Sequence, residues 1–433
     1  MKRPTPLDRS PSQREAWNHI RPLLPPDPEL ERLAREKGAI CRRRGVKAAA
    51  ALVRLLLSYA CCTLSFEGVC EWAEDSGWAS LSRNAFRNRL HRASPLLEHL
   101  LCLVLGKRSV SVSIAGRRVM LADGTRFSPP GTRGSGWCAH SLLDPWSGRT
   151  LQLELTDKRG GEHLRRFRFS AGDLVIADAG YAHRRGLAYM VEQGAEFLVR
   201  TNWCNLPFQR ICGRPFDLFK AAGRLEEGQR MEFPLQIAAD KDHGIPALPV
   251  RLLVYRKSQQ ATEAAQKKAR AEARRTKRQI NPRTLEACKY ILLVTNVRTH
   301  QLDASRLLDL YRLRWQIELG FKRWKSLLRL DDLNVRHPRS VRATLTAKLL
   351  GAVLVEEIVD RQHTGEGLWQ QTRRVGEAFR HALLGERAVS AVLTAPSCRH
   401  VPKTHASRPR QRTLLRDRLC AISQSPQPSP ITA

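Results

Sequence analysis

The chain has 433 residues, too many for one ordinary domain and enough for two or three that each bury a core. Its 42% hydrophobic content fits globular folding, while 74 Lys and Arg against 41 Asp and Glu leave a formal charge of +33. An excess of that size repels itself unless a polyanion neutralises it, and nucleic acid is the commonest polyanion available. Eleven cysteines, an odd number with no Cys-x-x-Cys pair, argue against a structural zinc site and place the chain in a reduced cytosol. The opening Met1-Lys2-Arg3-Pro4 leads into polar sequence, so nothing points to secretion. The apolar stretches at 48–57 and 349–355 are too short to span a bilayer and read as core helices.

Residues 1–110 read as helices, with prolines at 22, 25, 26 and 28 as punctuation. Within them Phe66, Val69, Cys70 and Trp72 can form one packed face, Gly77 permits a turn, and 82–92 offers a second helix exposing Arg83, Arg87 and Arg92. That pair is similar to a helix-turn-helix, which would make this an N-terminal helical DNA-binding domain; a helix pair with a basic face is the plainer alternative. From residue 111 to 202 the period becomes strand-like, with short runs at 117–122, 137–143, 150–155, 173–177 and 196–201. Helical stretches are predicted at 162–169 and 183–193. Three adjacent strands followed by strand-helix alternation predict an α/β fold, a mixed sheet flanked by helices. Residues 203–288 interrupt it as a β-rich insertion, with strands at 230–237 and 250–256 and a basic arm, Lys267 to Arg278, that carries seven cations and one acid. This arm is either a solvated helix or a phosphate-tracking one. Residues 289–395 resume the core with a strand at 290–296 and then helices, and 396–433 read as a disordered basic tail.

The helix expected after that strand is the most informative segment. At 100° per residue, Tyr311, Arg314, Glu318 and Lys325 fall at about 0°, 300°, 340° and 320°, one narrow stripe. Leu310, Leu313, Ile317, Phe321, Trp324 and Leu328 fall at roughly 200° to 280°, an apolar seam beside it. Docked by the seam, the helix presents a carboxylate framed by a phenol and two cations, which suits a metal ligand in a site that grips phosphates. An exposed helix with solvated ion pairs is the plainer reading of the stripe.

Two more carboxylates follow strands: Asp123, after Val119-Met120-Leu121-Ala122, and Asp178, after Leu174-Val175-Ile176-Ala177. A carboxylate where a buried strand emerges is held rigidly yet reaches solvent, although Asp at a strand end is also an ordinary turn former. Asp173, which begins its strand after Ala171-Gly172, reads as a turn residue. Three carboxylates without a matching His or Cys set favour hard, oxygen-loving ions, Mg²⁺ or Mn²⁺, over zinc. Two such ions suit in-line phosphoryl transfer on a phosphodiester.

Asp123-Gly124-Thr125, Asp178-Ala179-Gly180-Tyr181 and the Tyr-x-x-Arg-x-x-x-Glu-x-x-x-x-x-x-Lys of Tyr311, Arg314, Glu318 and Lys325 together resemble the DDE transposases of bacterial insertion sequences, in particular the IS-four-like group with its YREK signature. The resemblance runs over about residues 115 to 330 and implies an RNase H-like core. It implies that Asp123, Asp178 and Glu318 are catalytic and bind two Mg²⁺ or Mn²⁺ ions, with Tyr311, Arg314 and Lys325 holding DNA phosphates. It further implies Mg-dependent cleavage at transposon terminal inverted repeats, in some members through a hairpin, strand transfer of the 3′-hydroxyl into target DNA, a homodimer as the active complex, and a bacterial cytoplasm beside the nucleoid. A flipped base stacks on aromatic residues of the inserted module in such enzymes, and Trp203 is the residue placed for it, with a core Trp as the alternative. Arg200 stands either near the metals or in a structural ion pair. Two other functions stay open: a catalytically silent, repurposed transposase-derived DNA-binding protein, and an RNase H-like nuclease that cleaves without joining strands.

Overall fold

The computed structural model describes residues 17–385 apart from positions 133, 135 and 363–365, so the basic tail expected from 396 lies outside the described residues. Four N-terminal helices come first: α1 (Asp27–Glu36), α2 (Ala49–Cys61), α3 (Phe66–Asp75) and α4 (Arg83–Leu105). Ser65 and Ser82 cap α3 and α4 by accepting from the Gly68 N–H (2.9 Å) and the Ala85 N–H (3.3 Å). Gly77 turns the chain between them at a φ of +66°, where a side chain would be strained. Arg83, Arg87 and Arg92 are exposed on α4, as the helix-pair reading expects.

The strands are β1 (Ser113–Ile114), β2 (Arg117–Phe127), β3 (Trp137–Leu143), β4 (Thr150–Asp157) and β5 (Asp173–Ala177), then β6 (Glu196–Thr201) after helix α5 (Arg184–Glu192). The next span holds β7 (Phe208–Arg210), the short α6 (Leu218–Ala222), β8 (Arg230–Ile237), β9 (Leu248–Arg256), the basic helix α7 (Gln259–Arg275) and α8 (Pro282–Ala287). After β10 (Tyr290–Thr295) come α9 (Ala304–Arg312), α10 (Trp315–Lys322), a π turn (Arg323–Leu327), α11 (Pro338–Asp360) and α12 (Leu368–Leu384). No helix among the described residues is long and apolar enough to cross a membrane.

All ten strands belong to one mixed sheet in the order β4-β3-β2-β5-β6-β10-β9-β8-β7, with β1 paired to β2. β2, β5 and β6 are parallel to one another and the remaining pairs are antiparallel. The first five positions form a mixed core flanked by helices. Strands β7 to β9 continue the same sheet, because β9 pairs with β10 along Tyr290↔Arg256 to Thr295↔Arg251.

The central strands are buried on both faces, and the period of two sorts their side chains. Val119, Leu121, Leu174, Ile176 and Leu198 join the core shared with α1 to α4 and α9 to α12, whereas Met120, Ala122, Val175, Ala177 and Val199 join the one under α5. The predicted helix at 162–169 is not there. Gly160 and Gly161 begin a loop that holds only a single 3₁₀ turn, Leu164–Arg166. Phe167 and Phe169 nonetheless bury as an amphipathic segment would.

Candidate active site

The parallel ladder between β2 and β5 ends at Ala122↔Ala177, so the next residues, Asp123 and Asp178, emerge side by side. β2 itself runs on to Phe127 against β3, so Asp123 lies within a strand rather than at its end. Asp123 accepts from the Gly124 N–H (2.8 Å), and Asp178 caps the 3₁₀ turn Ala179–Tyr181 by accepting from the Ala179 N–H. Asp173, at the other end of β5, accepts from Arg118 Nε and the Ser170 N–H, each at 2.7 Å, as a turn residue should.

Glu318 reaches the same place from α10. The apolar seam of this segment is buried throughout, with Leu310, Leu313, Ile317, Phe321, Trp324 and Leu328 all in the core. Gly320 lets α10 approach β3, since a Cβ there would stand 3.0 Å from Leu143 Cδ1. Arg314 Nη1 lies 3.4 Å from Asp123 Oδ2 and 3.7 Å from Asp178 Oδ2, and Nη2 donates to Glu318 Oε1. One guanidinium thus gathers all three carboxylates. Burial pushes the Asp123 carboxyl up to about 6, helped by Asp178 and Glu162 and opposed by the Gly124 N–H and Arg314.

The stripe of Tyr311, Arg314, Glu318 and Lys325 does not stay on one line. The helix breaks at Leu313 and Arg314 between α9 and α10, and the π turn adds about one residue to a turn, so Lys325 does not fall where one uniform wheel puts it. Its Nζ donates to the Arg126 carbonyl (2.9 Å) and lies 5.4 Å from the centre of the Phe127 ring. Lys325 therefore sits on the β2 rim of the site. The Tyr311 hydroxyl is buried, and burial together with Asp178 pushes its pKa up to about 12 against Arg314 and Arg200. Arg200 is thus close enough to act electrostatically on Tyr311.

Trp203, two residues past β6, is half-buried and lines a cavity of about 290 Å³ with Leu206, Phe208, Phe216, Phe219 and Arg283. Its ring centre lies 5.8 Å from that of Phe219, and its Nε1 donates to Thr284 Oγ1 (3.3 Å). The loop is tied to the Asp178 turn because Asn205 Nδ2 donates to the Ala179 carbonyl (3.4 Å).

Glu162, which sequence reasoning passed over as part of a helix, lies against Gly124 and Gly180, the glycines beside the two aspartates. A Cβ on Gly180 would stand 1.7 Å from its Oε2 and one on Gly124 3.4 Å from its Oε1. The signal available was the pair Gly160-Gly161: at Gly160 a Cβ would meet Thr156 Oγ1 at 2.3 Å, so only glycine lets the chain double back there.

Residues 115–354 match the transposase DDE domain. The chain belongs to the DDE transposase family. The transposase of insertion sequence element IS421 of Escherichia coli is 35% identical over 351 residues, covering 79% of this chain and 94% of its own. The InsL protein of insertion sequence element IS186A, from Escherichia coli K12, is 35% identical over 350 residues with the same coverage. The transposase of IS231F from Bacillus thuringiensis subsp. israelensis is 24% identical over 367 residues, 75% of this chain and 76% of its own. DDE transposases are polynucleotidyl transferases that cut DNA, so the chain is an enzyme of that class.

The family uses divalent metal ions. The donors here fit such an ion in kind: they are oxygen ligands, and Asp123 is desolvated. In the arrangement described, no three His, Cys, Asp or Glu side chains among the described residues converge tightly enough to hold a metal, because Arg314 stands between Glu318 and the aspartates.

Proposed function

We propose that the chain is a transposase of the IS-four-like YREK group that recognises the terminal inverted repeats of its element, cuts at those ends with Mg²⁺ or Mn²⁺, and joins the freed 3′-hydroxyl to target DNA. The observation that carries this reading is the gathering of Asp123, Asp178 and Glu318, from two strands and a later helix, round the single guanidinium of Arg314. Asp123, Asp178 and Glu318 would hold the two ions, which supply activation of the attacking oxygen and charge relief at the leaving one. Arg314 aligns Glu318 with the aspartates and, with Lys325 on the β2 rim, offers phosphate oxygens a guanidinium and an ammonium; the Tyr311 phenol, buried here, would join them only once uncovered.

The aromatic cavity at Trp203 takes an extruded base beside the cut, with Arg283 over Phe219 (5.6 Å) to meet its phosphate. The exposed basic helix α7 tracks DNA backbone, and the N-terminal helices, with Arg83, Arg87 and Arg92, read the repeat. The active complex is a homodimer on two ends, working in the bacterial cytoplasm at the nucleoid. The test is a joining assay with the inverted repeats that flank the gene: with Mg²⁺, 3′-ends should become covalently attached to target DNA. Cutting without joining would favour a nuclease, and binding without cutting a silent DNA-binding protein.

A further inference from the structure

The acids stand where the parallel strands end, and α10 covers only one face of the sheet there. By the period of two, Asp123 shares the face of Val119 and Leu121, packed on α9 to α12, whereas Gly124 and Arg126 share that of Met120 and Ala122, packed on α5. On the α5 side a cleft of about 510 Å³ opens beside the turn that holds Asp178. Two residues of its lining touch that turn: Glu162 stands against Gly180, and Asn205 Nδ2 donates to the Ala179 carbonyl (3.4 Å). The rest is mainly cationic, with His163, Arg166, His183, Arg184 and Arg185 set against Glu162 and Asp240. Arg185 also lines a second cavity, of about 600 Å³, with Arg165, His243 and the α5 residues Ala188 and Tyr189, so the groove continues along that helix.

The guanidiniums of this groove are of two kinds. Arg166 pairs with Glu154 (2.9 Å) and donates from Nε to the Gly161 carbonyl (2.8 Å), and Arg184 pairs with Asp240 (3.4 Å), which His243 Nδ1 also approaches at 2.9 Å. Arg165 and Arg185 are exposed, and their side chains have no hydrogen bond or ion pair among the described residues. Both lie within electrostatic reach of the His163 ring, which stacks on that of His183 with 6.1 Å between centres. Packing therefore engages Arg166 and Arg184 and leaves Arg165 and Arg185 to a ligand.

We propose that this groove holds target DNA by its phosphates while α10 and the β2 rim hold the transposon end. The inference rests on the strand-joining reading above. Joining brings two DNA segments to the acids at once, and in-line displacement sets the attacking and leaving oxygens on opposite sides of phosphorus, so each segment needs its own grip. Arg314 and Lys325 supply one, and the groove supplies the other from the opposite face of the sheet. Residues 203–208 separate the groove from the aromatic cavity, with Asn205 and Pro207 on the groove side and Trp203, Leu206 and Phe208 on the other. The groove thus meets phosphates rather than bases, and phosphate contacts carry no sequence information, which suits DNA other than the fixed inverted repeat.

Joining of pre-cut repeat ends by the full chain, measured against the concentration of a random-sequence target duplex, tests this directly. Arg165→Gln combined with Arg185→Gln should raise the half-saturating target concentration about tenfold without changing the plateau, and should lower the log-log salt slope of target capture by about 0.9 for each phosphate no longer neutralised. Either single variant should raise it about threefold, and stands in if the pair does not fold. Arg165→Lys with Arg185→Lys, which keeps both charges, should restore most of the capture. Binding of the repeat duplex, followed by fluorescence anisotropy, should stay within about twofold of the wild type. Wild-type half-saturation and slope in the Gln variants would overturn the proposal. Weakened repeat binding with target capture intact would overturn it too, and would give the groove to the transposon end. Failure of the wild type to join any target, with cutting or binding retained, would overturn the strand-joining reading and the role of the groove with it.

Discussion

Burial lifts the Asp123 carboxyl to about 6 although the Gly124 N–H and Arg314, 3.4 Å away, pull it down, because the loss of water outweighs both, with smaller additions from the Asp178 and Glu162 charges. A carboxyl raised in the fold above its ordinary value stabilises the native state at low pH, and that contribution is lost as pH climbs from about 4 through about 6. At pH 8 Asp123 therefore destabilises the chain, by up to about 3 kcal/mol on the conversion of pKa shift to free energy. Asp123→Asn should melt higher than the wild type at pH 8, with the gap closing toward pH 4; a lower melting temperature at pH 8 would contradict this account of the site. Adding Mg²⁺ should narrow the gap from the other side by stabilising the wild type alone. Such a trade of stability for function is usual where charges are held in readiness for a substrate.

At the scale of elements, the basic helix α7 buries only Thr262 and carries Lys267, Lys268, Arg270, Arg274 and Arg275 into solvent. Packing gives it little reason to exist, and binding to phosphates gives it one. Replacing Lys267, Lys268, Arg270 and Arg274 together by Gln should flatten the salt dependence of DNA binding by about 0.9 in log-log slope for each phosphate no longer neutralised. An unchanged slope would remove α7 from the interface. Much at this scale was legible in the sequence, because local periodicity writes it: β3, β5, β6 and β8 start and stop where their apolar runs do, and the seam from Leu310 to Leu328 docks as its spacing requires. The three acids were legible for the same reason, each standing at a fixed offset from a periodic segment. The departure of Lys325 was not, since a wheel drawn at one angle per residue has no place for a π turn. Glu162 was hidden because a loop has no period, and its position depends on Gly180 and Gly124, far from it in sequence.

Across the whole molecule, the N-terminal helices are bound into the core that supports the site. Arg54 on α2 sits under Trp17, Trp72 and Trp78 and donates from Nε to the Leu383 carbonyl (2.8 Å) and from Nη2 to that of Ala382 (3.1 Å), at the end of α12. α11, buried along nearly its whole length, packs against α2 and α4. A fragment beginning at residue 111 would expose that surface and should be insoluble or melt without cooperativity; a soluble fragment with a sharp transition would show that the helices are a detachable module. This integration keeps α10 pressed against β2 and β3, and thereby Glu318 beside the aspartates. The most direct measurement of the central claim is cleavage of inverted-repeat DNA in Mg²⁺ by Asp123→Ala, Asp178→Ala and Glu318→Ala, with DNA binding followed in the same samples. Each variant should bind the ends as the wild type does and cut them at least about a hundredfold more slowly; cutting at the wild-type rate by all three would contradict it.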